Sequence, residues 1–381
     1  MEIVENDVVV QQPCPKKIRK PYKIIALGVL VAVAVFFLVW FVFLKRTSSE
    51  LISPFVSDSD LIDDEYSVSP LTGEKFPKAR AEDWYNTRPL GVMVNNYIDA
   101  RPQSGLIYAD IVYEVVAEGG ITRFMPFFLT NTPKKIGPVR STREYYLTIV
   151  KELGDAMIMH EGYSPQAKEA IDSWPVRSLF RGGAAATANW RENSSGVAFE
   201  HTLYTDGAVL REVGNSLGWE GNRETTMWQF KDDRNAYVDM PEASDITIDF
   251  WYKGDYTAIF KYLPDENKYL RFMGYEDGDV PIPHLDGDTK EQIEVTNLVV
   301  QFVAESPIVG DDKNRLAYQL VGSGLGLVFV DGKVIEVTWT KESRDERTMF
   351  YDLDGNEIKF NRGKFWVSVV PDRNREQVVY Y

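Results

Sequence analysis

The residues whose types and spacing best suit recognition chemistry are Arg140 and Arg143, in the run GPVRSTREYYL over residues 137–147. Ser141 followed three residues later by Glu144 predicts a capping box. The helix it opens carries Tyr145, Ile149 and Leu153 on one face and stops at Gly154. A helix N-terminus holds unpaired N–H groups and about half a positive charge. Two arginines there are electrostatically unfavourable unless something negative lies close. A bidentately held carboxylate or phosphate would answer that need. An internal ion pair with Glu114, Glu118 or Glu144 would answer it equally.

Asn95, Asn96, Glu118 and His160 each end or follow a predicted strand. In open α/β sheets the loops beyond the strands' carboxyl ends line the ligand crevice. Parallel strands would therefore bring these four residues, with Ser141, toward Arg140 and Arg143. Antiparallel neighbours would send them to opposite edges.

Three other constellations invite chemistry. His160, Glu161 and Ser164 bring base, acid and nucleophile close in sequence, but match no triad signature, and Ser164 before Pro165 reads as a helix N-cap. His201 reads equally as a hydrogen-bonded packing residue. His284 shares a loop with Asp286 and Asp288, a hard-cation possibility that lacks the twelve-residue calcium pattern, so a solvated turn is expected. The glycines of GSGLG over 322–326 precede a strand rather than a helix, so a phosphate loop is excluded and a bulge or tight turn is expected.

Positioning these residues requires strands over Leu90–Asn96, Ile111–Ala117, Ile121–Leu129 and Ala156–His160, with a hairpin turn at Glu118-Gly119-Gly120. Helices are expected from Ser164 to about Ser173 and from Asp206 to Leu217. Strands and helices alternate, predicting an α/β-type domain with a mixed central sheet over 69–240. Beyond about Met240 short alternating segments and the turns Asp331-Gly332 and Asp354-Gly355 predict a smaller, mainly antiparallel β domain over 241–381. The fold class is α+β.

Ile24–Leu44 is an uninterrupted apolar run of 21 residues. As a helix it would be roughly 31 Å long, enough to cross a hydrocarbon core. Five basic residues precede it and two follow it directly, which places the N-terminus (1–23) in the cytoplasm and the bulk of the chain outside. The apolar run continues past its only small-x-small triplet, Ala32-Val33-Ala34, so it reads as a retained anchor rather than a cleaved signal. Residues 45–68 are rich in Ser and Asp and read as an acidic spacer.

The net charge of −15, from 57 acidic against 42 basic residues, argues against a nucleic-acid partner. One cysteine, Cys14, precludes an intramolecular disulfide and a thiolate zinc cluster, and no HExxH is present among three histidines. No cofactor or metal is expected.

The string RPLGVMVNNYIDARPQSGLIYADIVYEVVAEGGITRFMPFF, with GPVRSTREYYL after it, closely resembles the YerB-like family of bacterial cell-envelope proteins. YLRFM, VTNLVVQFV and GLVFVDGKVIEVTWTK resemble that family's C-terminal domain. The likeness spans about residues 68–375. It implies a two-domain extracytoplasmic protein, often labelled a lipoprotein, whose activity is not established, and it supplies no catalytic residue. Here an apolar anchor takes the place of the lipidated cysteine. The function expected is a membrane-anchored, non-catalytic module that binds an anionic envelope ligand or a partner protein through Arg140, Ser141, Arg143, Asn95, Asn96, Glu118 and His160. The alternatives are an envelope hydrolase acting on a wall polymer, with His160 and Glu118 or Glu161 as acid and base, and a structural scaffold.

Overall fold

Runs of β-branched and aromatic residues become strands through most of the chain. The structure, a computed structural model, describes residues 65–192, 196–219, 221 and 225–381. The apolar run Ile24–Leu44, Cys14 and most of the acidic spacer lie outside these residues. Among the described residues no helix is long and apolar enough to cross a membrane. Tyr66–Val68, at the end of the expected spacer, is already a strand paired with Lys75–Pro77.

The first half contributes strands β1 (Leu90–Val92), β2 (Val94–Asn95), β3 (Ile111–Val116), β4 (Thr122–Phe128), β5 (Met157–His160) and β6 (Arg177–Phe180). Its helices are α1 (Lys78–Tyr85), α2 (Glu144–Glu152), α3 (Pro165–Ser173) and α4 (Gly207–Ser216). The second half contributes β7 (Asp245–Ile248), β8 (Ala258–Leu263), β9 (Lys268–Glu276), β10 (Val280–Pro283) and β11 (Asn297–Val303). It continues with β12 (Gly322–Val330), β13 (Lys333–Lys341), β14 (Met349–Asp352), β15 (Phe365–Pro371) and β16 (Val378–Tyr380). The chain is thus mostly strand with few helices.

One 11-stranded mixed sheet runs β14–β13–β12–β11–β15–β3–β4–β1–β5–β6, with β2 also on β4. A second sheet, β10–β9–β8–β7–β16, is antiparallel throughout. The mixed sheet expected for the first half therefore extends into the second. There β15 pairs parallel with both β11 and β3, in a half expected to be mainly antiparallel. The reason is topological: β15 arrives from a long connection after β14 and slots between two strands already running its way.

Strand β3 is buried on both faces, as a strand at a sheet centre should be. Tyr113 points to α2, where its hydroxyl donates to Glu152 Oε1 at 2.6 Å. Glu114 points the other way and meets Arg271 of β9 at 2.8 Å, both side chains fully buried. The second sheet packs on that face, with Phe260 of β8 edge-on to Trp366 of β15 at 6.0 Å between ring centres.

One hairpin turn follows the sequence closely. Asp331 and Gly332, at φ 55° and 70°, make the two-residue link between β12 and β13, with Val330 opposite Lys333. The GSGLG segment, expected as a bulge or turn, is regular strand instead. Gly324 lies opposite Trp339, and a Cβ there would come within 2.6 Å of the indole, so the glycine leaves room for the ring.

Candidate functional site

The strands fix one shared edge. β3 is antiparallel to β4 and β4 to β1, so β3 and β1 run the same way, and β5 is parallel to β1. Asn95 and Asn96, Glu118 and His160 therefore leave the sheet at one edge, even though Glu118 sits in a hairpin. The segment 136–143 crosses that edge. Asn95 N donates to Pro138 O at 2.8 Å, Arg140 N to Met93 O at 2.8 Å, and Glu161 N to Arg140 O at 3.0 Å. This backbone brings Arg140, Ser141 and Arg143 beside the ends of β2 and β5.

Helix α2 starts at Glu144 with Arg143 as an extended N-cap residue and no side-chain cap. The capping box expected from Ser141 and Glu144 does not form. Ser141 lies two residues before the N-cap, and its hydroxyl donates to Glu161 O at 2.7 Å. The negative group demanded by an arginine at this helix start is Glu118: Arg143 Nε donates to its Oε1 at 2.5 Å and Arg123 Nη2 to its Oε2 at 3.0 Å. Burial raises the Glu118 carboxyl, but the Arg143 hydrogen bond and the two guanidinium charges outweigh it and hold the carboxyl below its ordinary range. Arg143 and Glu118 are thus partners of each other.

Arg140 differs. Its half-buried guanidinium has no hydrogen bond or ion pair among the described residues. Burial lowers its pKa, and the exposed Glu200 carboxylate only partly opposes that. Its neighbour His201 stacks on Tyr97, rings 4.9 Å apart and 8° from parallel, and takes a 2.6 Å hydrogen bond at Nδ1 from Asn95 Nδ2. Burial, then the Arg140 charge, depress the His201 pKa. Glu161, opposite Ser141, is shared by Arg181 at 3.2 Å and Arg191 at 3.4 Å.

Asn96 faces inward and belongs to a closed ring of hydrogen bonds. Its Nδ2 donates to Thr122 Oγ1 at 2.7 Å, Thr122 donates to Glu114 Oε1 at 2.8 Å, and Glu114 Oε2 accepts from Arg271. Arg271 also donates to His284 Nδ1, His284 Nε2 to Gln103 Oε1 at 2.9 Å, and Gln103 Nε2 to Asn96 Oδ1 at 3.0 Å. His284 is therefore a core residue, neither a cation ligand nor part of the solvated turn expected there. Asp286 accepts from the backbone N–H groups of Gly105, Asp288 and Thr289. Among the described residues no cluster of three or more His, Cys, Asp or Glu side chains is arranged for a metal.

His160 is buried with both ring nitrogens engaged, Nδ1 with Gly162 O and Nε2 with Ser178 Oγ, each at 2.8 Å. Burial lowers its pKa to about 4, so the ring is neutral, with Nδ1–H donating to the carbonyl and Nε2 accepting from the hydroxyl. Ser164 accepts from Ala167 N as the N-cap of α3. The acid, base and nucleophile of the hydrolase alternative are each occupied in holding the fold.

A cleft of about 390 Å³ opens beside His201, lined also by Asp99, Arg101, Ser104, Lys135, Thr202, Tyr204 and Lys290. Arg101 was not singled out by sequence reasoning. Its Nε and Nη2 donate to Asn96 O at 3.3 and 3.1 Å, so the buried ring aims it. Burial lowers the Arg101 pKa to about 10.

Residues 71–220 match the family model described as "Protein of unknown function (DUF3048) N-terminal domain", and residues 246–367 match the corresponding C-terminal domain. The chain is 31% identical over 306 residues to "Putative lipoprotein YerB" of Bacillus subtilis (strain 168), covering 80% of this chain and 86% of that protein. The chain belongs to the DUF3048 family. The crystal structure of the Bacillus subtilis YerB protein matches the fold with a TM-score of 0.68 at 29% identity, covering 83% of this chain and 99% of that one.

In DUF3048 terms, Asn95, Asn96, Glu118, Arg140, Ser141, Arg143 and His160 all lie in the N-terminal match. Arg271, His284 and Lys290 lie in the C-terminal match. The hydrogen-bond ring and the cleft draw on both. One signal for Arg101 was present in its spacing from Asn96, within reach of a side chain folding back over a short turn. The contribution of Lys290, 189 positions along, left no local trace.

Proposed function

We propose that this DUF3048 chain is a membrane-anchored, extracytoplasmic, non-catalytic module that binds an anionic envelope polymer at the corner formed by Arg140 and the 161–164 loop. The apolar run Ile24–Leu44 with its basic N-terminal flank supports a single-pass anchor with the N-terminus inside. A relative that bears the name lipoprotein fits the same side of a membrane. The observation that carries the binding reading is Arg140 itself: a half-buried guanidinium with no ion pair among the described residues, beside an Arg143 that has one. Desolvating a charge without a partner is unfavourable, so such a group is better explained by something it meets outside the fold.

The test uses the full chain in detergent micelles, titrated with a short poly(glycerol phosphate) oligomer and with a carboxylate-bearing peptidoglycan disaccharide-peptide. Salt-sensitive, saturable binding weakened roughly tenfold by Arg140→Gln, the worth of one charge-assisted hydrogen bond, is the expected outcome. Equal binding by the variant, or none by the wild type at millimolar concentration, would sink the reading.

A further inference from the structure

The cleft beside His201 is a separate matter from the Arg140 corner, and its chemistry is more specific. Three cations line it. Lys135 is already neutralised by Glu192 at 2.9 Å and Asp288 at 3.2 Å. Arg101 and Lys290 have no carboxylate within ion-pair distance among the described residues. Arg101 spends Nε and Nη2 on Asn96, which leaves Nη1 without a hydrogen-bond partner among the described residues. Lys290 donates only to Gly287 O. The cleft is also lined by Asp99, which has no cation partner among the described residues, by Tyr204, and by Ser104 and Thr202, whose hydroxyls donate to Asp288 Oδ1 at 3.3 Å and Phe199 O at 2.9 Å and keep lone pairs to accept from a ligand. The indole of Trp190 stacks with the ring of Tyr204, centres 6.3 Å apart and 25° from parallel.

We propose that this cleft binds a small hydroxylated anion, a sugar acid or polyol phosphate, with its acidic group between Arg101 and Lys290 and its hydroxyls toward Asp99, Ser104 and Thr202. The volume suits a monosaccharide-sized molecule, at the lower end of ordinary ligand pockets. Guanidinium N–H groups favour a carboxylate or phosphate over a neutral acceptor, because charge-assisted hydrogen bonds are roughly twice as strong. A free carboxylate in the same cleft accepts from hydroxyls and repels a second acidic group, which favours a ligand with its charge at one end. The arginine is held rigidly by Asn96, itself locked in the core ring, so little ordering is lost on binding.

The inference does not rest on the Arg140 reading, and the test separates them. The full chain in detergent micelles is titrated calorimetrically with glycerol 3-phosphate, with glucuronate and with uncharged glucose. The expected result is saturable binding of one or both anions, no binding of glucose, and a preference between the two anions that identifies the acid. Arg101→Gln should weaken binding roughly tenfold or more and Lys290→Gln several-fold. Lys290 is exposed, so its variant keeps the test valid if Arg101→Gln disturbs the fold. Absence of binding by either anion at 10-fold dilution series up to roughly the millimolar range typical of weak ligands overturns the proposal. So does binding that Lys290→Gln leaves intact.

Discussion

Two arginines three positions apart have opposite fates, and stability measurements should separate them. Arg143 is nearly buried and hydrogen-bonded to Glu118, so Arg143→Gln leaves that carboxylate to Arg123 alone and should destabilise by about 1.5–3 kcal/mol, the worth of a hydrogen bond to a charged group. Arg140→Gln removes no ion pair among the described residues and should change stability by less than about 0.5 kcal/mol. Chemical denaturation of both variants checks this, and equal losses would contradict the assignment of partners. His160 makes a pH prediction. Its folded pKa near 4 lies below the ordinary 6.5, so from pH 6.5 down to 4 the unfolded chain takes up a proton that the folded ring refuses. Stability is therefore lost as pH falls through that window, by about 3 kcal/mol in all. Asp110, pushed up to about 6 by burial, acts with the opposite sign over pH 4 to 6. It is common to wild type and His160→Gln, so a shallower acid slope in the variant isolates the imidazole. Identical slopes would refute it.

Among the elements, short-range chemistry was the most legible part of the sequence. The Ser164 N-cap, the start of α4 at Asp206, the Glu118–Gly120 hairpin and the Asp331-Gly332 turn all depend on neighbours within a few residues, and each stands where the sequence placed it. Ser141 misled because a capping box is spelled by spacing alone. Which residue becomes the N-cap was decided by the Glu161 carbonyl, twenty positions away. The glycines of 322–326 misled similarly, since a glycine required for a turn and one required beneath an indole look alike in sequence. That second role is testable. Gly324→Ala forces a methyl into the Trp339 ring and should cost about 1–3 kcal/mol, as overpacking does. Trp339→Leu in the same background should relieve the clash, and a Gly324→Ala protein as stable as wild type would return the segment to an ordinary strand. The cleft was the least legible of all, because Arg101, His201 and Lys290 share it from positions 89 to 189 residues apart.

At the scale of the whole molecule, the change in texture near Met240 marks where helices cease, while hydrogen bonding continues across it. Strand β3 takes one neighbour from each half, and Glu114 takes Thr122 from the first half and Arg271 and Trp366 from the second. A chain cut between residues 221 and 246 should therefore give fragments that are unfolded or aggregated when made singly and recover structure when combined. The intact chain should unfold in one transition by circular dichroism and tryptophan fluorescence together. Two separate transitions would show that the halves are independent. The parallel pairing of β3 with β15 also carries a consequence for biosynthesis. Glu114 and the Trp366 indole that donates to it are 252 positions apart. A ribosome therefore releases the centre of the sheet long before its neighbour exists, and a non-local contact of this kind delays folding. Until Phe365–Pro371 emerges, β3 offers an open, apolar edge to any passing strand. A product terminated early lacks the piece that closes it, so the fold itself distinguishes finished chains from unfinished ones.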